Sequence, residues 1–122
     1  MAVIRFFIVA LGLLFVAIPA YSQENVRVRG GGHAEFGRLV FDWPASVGYK
    51  AEIAERNLIV RFDRPMLTNF EAAVSTLDDF VSGAGLSGDN KTATIRLIGD
   101  YSLRTFENGN SIVVDLVRKP GD

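Results

Sequence analysis

Leu103-Arg104-Thr105-Phe106-Glu107-Asn108-Gly109-Asn110-Ser111-Ile112-Val113-Val114-Asp115-Leu116-Val117, residues 103–117, is where the fold becomes legible. Two strand-forming runs, 103–107 and 111–117, flank Asn108-Gly109. Both central residues of a type I′ turn need positive φ, and this dipeptide tolerates it best, so the stretch predicts a β-hairpin. Its layout has an echo upstream. Ile95-Arg96-Leu97, Leu103, Ile112-Val113-Val114-Asp115-Leu116 and Pro120 follow the same order as Leu39-Val40-Phe41, Tyr49, Leu58-Ile59-Val60-Arg61-Phe62 and Pro65. Each half reads strand, turn with Pro or Gly, strand, turn, strand. Two such units facing each other would bury one another's apolar faces in a small sandwich.

The remaining segments fit around this pair. In residues 37–43, Leu39, Phe41 and Trp43 share one face at period two, and Arg38, Val40 and Asp42 take the other. Pro44 ends that strand because it cannot donate to a ladder. Residues 49–53 and 58–62 form a second hairpin across Glu55-Arg56-Asn57. Gly88-Asp89-Asn90 turns the chain into 92–98, where Ala93, Ile95 and Leu97 point inward, and Gly99-Asp100 turns it again. Near the start, Val26-Arg27-Val28-Arg29 reads as an edge strand running into a flexible loop at Gly30-Gly31-Gly32. One segment changes period: Leu67, Phe70, Val74, Leu77 and Val81 recur at helical spacing, Thr68-Asn69-Phe70-Glu71 matches a capping box, and Gly83 stops the run. The expectation is a mainly β (α+β) domain, a small antiparallel β-sandwich of two similar strand units. One amphipathic helix of three to four turns, about residues 67–81, packs between or beside them.

The first 22 residues are a different material. They hold 18 apolar residues, against 41 in the following 100, which carry 26 charged ones. Arg5 supplies a positive start, residues 6–18 are apolar but for Gly12, and Ala20-Tyr21-Ser22 fits the small-x-small cleavage rule. Residues 1–22 therefore read as a cleaved signal peptide, with the mature chain beginning at Gln23 and its location periplasmic or secreted. The apolar run falls short of the roughly 20 residues a spanning helix needs. Residues 23–122 then form a single domain. Its ending, Arg118-Lys119-Pro120-Gly121-Asp122, reads like the start of a linker in longer homologous chains.

The chemistry available to those residues favours binding over catalysis. With no cysteine and His33 as the only histidine, thiol catalysis, cysteine-ligated zinc and two-histidine metal sites fall away. No metal or cofactor is expected. No serine sits in a nucleophile elbow, the triple glycine lacks the helix and lysine of a phosphate loop, and Asp78-Asp79 reads as a solvated helix face. The net charge of −1, with both signs interspersed, gives no polybasic strip for nucleic acid. Trp43 and Tyr49 flank the turn at 44–48, Tyr101 occupies the related turn of the second half, and Arg38, Arg61, Arg96 and Arg104 lie on strands. Rings beside guanidinium groups suit glycan or peptide contact. Arg38, Trp43, Tyr49, Tyr101 and Arg104 are thus the candidate binding residues, although Trp43 also continues the apolar face of its strand and reads as core. Edge strands offer a second mode, strand addition from a partner.

Phe36-Gly37-Arg38-Leu39-Val40-Phe41-Asp42, Tyr49, Leu58-Ile59-Val60-Arg61-Phe62 and the closing Asn110-Ser111-Ile112-Val113-Val114-Asp115-Leu116 together resemble AMIN-type domains, found on bacterial periplasmic amidases and outer-membrane secretins. The resemblance spans residues 26–117, with the closing pattern its most specific piece. It implies a small β-sandwich of two similar halves and a non-catalytic module that binds cell-wall peptidoglycan or an envelope protein. The alternative is a structural interaction domain without glycan affinity, working by self-association or strand addition.

Overall fold

The computed structural model describes residues 23–120; the expected signal peptide lies outside them. Among the described residues period-two alternation produces ten strands: β1 (Glu24–Asn25), β2 (Arg27–Gly32), β3 (Phe36–Asp42), β4 (Tyr49–Ala54), β5 (Asn57–Phe62), β6 (Met66–Leu67), β7 (Val81–Leu86), β8 (Thr92–Leu97), β9 (Tyr101–Asn108) and β10 (Ser111–Arg118). Among the described residues one helix, α1 (Glu71–Thr76), lies between β6 and β7. Two antiparallel sheets, ordered β2-β3-β10-β9 and β4-β5-β8-β7, form the sandwich, and β1 pairs with β6 in a short parallel contact.

The strand units are present, but they do not face each other as separate halves. They exchange strands. The first unit places β2 and β3 in one sheet and the β4-β5 hairpin in the other, and the second places β7 and β8 with β4-β5 and returns β9-β10 to the first sheet. Consequently β3 pairs with β10 and β5 with β8, each a contact between units. Proline explains the crossing locally: Pro44 closes β3, so the chain leaves that sheet instead of doubling back as a hairpin. Leu39, Phe41, Leu58, Val60, Ala93, Ile95, Leu97, Ile112, Val114 and Leu116 fill the space between the sheets, as their alternation dictates.

The helix is much shorter than its periodicity suggested. It has six residues, and Leu77 is already its C-cap. Leu77 and Phe80 remain buried, but through a tight turn in which the Phe80 and Val81 N–H groups donate to the Leu77 carbonyl. Val81 then belongs to β7, paired with Leu97, so a sheet partner claims the residue that closed the expected stripe. At the other end Leu67 is exposed in β6. The capping box is not made either. Phe70 is the N-cap, and Asn69 Oδ1 accepts the Glu71 N–H at 2.8 Å. Gly83 terminates nothing; it follows a β-bulge within β7. Asp78 and Asp79 are solvated as expected, but on the turn after the helix.

Two further expectations change. The triple glycine is no loop: all three residues are in β2, paired with β3. A Cβ on Gly30 would lie 2.8 Å from the Ala73 carbonyl oxygen, so the bare backbone is what lets α1 sit directly on β2. The last hairpin turns one residue later than expected. Asn108 pairs with Ser111, leaving Gly109-Asn110 as the connection, and Gly109 alone takes positive φ (62°) there. This fits a turn whose first central position is glycine.

Candidate binding face

The outer face of β2-β3-β10-β9 carries the densest chemistry. Along β10, Val114 and Leu116 point into the core, which turns Asp115 outward. Yet Asp115 is wholly buried, because its cross-strand partners are Arg38 on β3 and Arg104 on β9, and both fold over it. Arg38 donates from Nε to Oδ1 (2.8 Å) and from Nη2 to Oδ2 (3.0 Å). Arg104 donates from Nε and Nη2 to Oδ2, at 3.0 and 2.8 Å. Burial would push the Asp115 carboxyl up, but the hydrogen bonds from the two guanidinium groups outweigh it and hold the group below the usual carboxylate range. The same pairing raises Arg38 above its ordinary value.

Two aromatic rings frame the cluster. The Arg38 guanidinium lies 5.3 Å from the ring centres of both Phe36 and Phe106, and that of Arg104 lies 5.3 Å from Phe36. His33 stacks on Phe36 at 4.5 Å. A second network lies four residues along: Arg29 and the Ser111 hydroxyl both donate to Asp42, whose carboxyl the Arg29 contact holds low. The arrangement gives two fixed guanidinium groups for one carboxylate, a local excess of one positive charge. Neither Nη1 is hydrogen-bonded among the described residues. Such groups can take a carboxylate in planar geometry while the rings take an apolar surface.

Of the five candidate residues, the structure brings only Arg38 and Arg104 together. Trp43 is 4% exposed, its ring 5.0 Å from that of Phe62 and 5.6 Å from the Arg64 guanidinium, which settles it as core. Tyr101 is also buried, against Phe80, and burial raises its hydroxyl pKa. Tyr49 is half-buried beside Phe62 and borders a hollow of about 390 Å³ with Lys50, Arg61 and Asp63. The picture of three aromatic rings presented at the turns is therefore corrected: inward strand positions at either end of those turns draw two of them into the core. Arg61 is on the opposite sheet, paired with Glu52 at 2.8 Å. Asp115, Phe36 and Phe106 were missed. A lone acid inside an apolar strand run was the available signal for the first.

Among the described residues no three His, Cys, Asp or Glu side chains gather as a metal site, and no helix is long and apolar enough to cross a membrane. The fold defines a small two-sheet β-sandwich domain. Neither the protein-family models nor the curated proteins compared with the chain give a match.

Proposed function

We propose that this domain is a non-catalytic periplasmic binding and localisation module that contacts peptidoglycan through the outer face of β2-β3-β10-β9. The observation carrying this reading is the buried Asp115, which fixes Arg38 against the Phe36 and Phe106 rings and Arg104 against Phe36, and leaves an Nη1 on each without a partner among the described residues. Peptidoglycan has the complementary chemistry, carboxylates on its peptide stems and apolar faces on its sugars. The leader-like residues 1–22 and the AMIN resemblance support the compartment.

Retention on purified sacculi tests the proposal. The protein should be retained above an unrelated acidic domain of equal size, and Arg104→Gln should lose most of that retention while the protein stays folded, its melting temperature falling by only about 5 °C. Wild-type retention no greater than the control overturns it. If the protein instead forms a stable oligomer by light scattering, a structural interaction domain without glycan affinity takes its place.

A further inference from the structure

The second sheet has an edge unlike the other three. β2, β4 and β9 carry charged residues at their edges, the usual protection against unwanted pairing. β7, Val81-Ser82-Gly83-Ala84-Gly85-Leu86, carries no charge and no proline. It pairs on one side only, with β8. The Ser87 N–H donates to the Thr92 carbonyl at 2.9 Å, and antiparallel pairs alternate. Gly85 and Gly83 therefore face β8, while the N–H and C=O of Ala84 and Leu86 point away from it. No backbone or side-chain partner meets these four groups among the described residues. They open onto a groove of about 700 Å³ between β7 and α1, whose apolar lining is Phe70, Val74, Ala84 and Leu86.

Charge identifies the occupant. On the outer face, Gly83 and Gly85 leave a hollow of about 330 Å³ bordered by Arg96, whose Nη1 would lie 3.3 Å from a Cβ on Gly83. Arg96 makes no salt bridge among the described residues. A second copy pairing through β7 would bring another Arg96 to this outer face, and neither its β7 nor the lining of its hollow carries an acid to meet it. We propose that β7 accepts an extended segment of a partner protein as an added strand, with apolar residues entering the groove and an acidic residue on the other face meeting Arg96. This surface lies on the sheet opposite the arginine face and does not depend on it.

Titrating the isotope-labelled protein with an acetylated peptide of about seven residues alternating valine and glutamate tests this by NMR. The Ala84 and Leu86 amides should shift and gain protection from exchange. A lysine-for-glutamate peptide should bind about tenfold more weakly, and the exposed substitution Arg96→Glu should reverse that order. Leu86→Pro, which deletes an outward N–H and spares the β7–β8 ladder, should abolish binding while Trp43 fluorescence stays native. Shifts centred on another edge, equal binding of the two peptides, or dimerisation through β7 without peptide would each overturn the proposal.

Discussion

Arg38 and Arg104 hold the same carboxylate unequally. Arg38 serves both oxygens of Asp115, whereas both donors of Arg104 go to Oδ2. Removing Arg38 leaves Oδ1 buried with no partner, while removing Arg104 leaves each oxygen with one. Arg38→Met should therefore destabilise by about 3 kcal/mol and Arg104→Met by about 1 kcal/mol, read from urea midpoints at constant slope. Equal losses would mean that Asp115 does not discriminate between them. The cluster also sets an acid dependence. Asp115 and Asp42 have folded pKa values below the ordinary one, so the unfolded chain takes up protons first as pH falls. Their stabilisation is complete above the unfolded carboxylate pKa of about 4 and is lost below it, as pH drops through the folded values. Asp115→Asn should flatten that acid limb of a stability-against-pH curve. In the sequence Asp115 stands out only as an acid in an apolar run; that it is buried depends on two arginines 77 and 11 residues away, which pairing alone brings to it.

At the scale of elements, the three adjacent glycines of β2 separate backbone freedom from close packing. A Cβ on Gly30 meets the Ala73 carbonyl at 2.8 Å and Leu77 at 3.1 Å, whereas one on Gly31 meets nothing within 4 Å. Gly30→Ala should cost about 2 kcal/mol by lifting α1, and Gly31→Ala should be neutral or stabilise by about 0.5 kcal/mol, in the same denaturation assay. The β4–β5 turn offers the converse case. Glu55 and Arg56 both hold positive φ (51° and 62°), and the Arg56–Asp100 ion pair they retain is solvent-exposed. Replacing the pair with Asn-Gly should raise stability by about 1 kcal/mol. Strands with strict alternation, such as 92–97, were legible because one sheet face is buried along their whole length. The helix was not, because Leu77, Phe80 and Val81 satisfy helical spacing and a turn-to-strand transition equally well. Only the pairing of Val81 with Leu97 decides between them. For the same reason three glycines read as a loop, since nothing local announces that α1 needs a bare strand beneath it.

For the whole molecule, the exchanged strands make the repeat a single cooperative body. The internal repeat was visible in the order of segments, but sequence spacing cannot say whether like strands pair within a unit or between units. Here β3 lies on β10 and β5 on β8, so each sheet is half built from each unit and neither unit can complete a sheet alone. Unfolding should then be two-state, with no transition belonging to one unit. Trp43 is a native probe on the first unit, packed across the sandwich against Phe62. Leu116, fully buried on β10, is a perturbation site in the second. Leu116→Ala should remove about 3 kcal/mol, and the urea midpoint followed by Trp43 fluorescence should fall as far as the midpoint followed by far-ultraviolet circular dichroism. If the Trp43 transition stayed at its wild-type midpoint while the dichroism moved, the first unit would be stable without the second, and the exchange of strands would not be what holds the sandwich together.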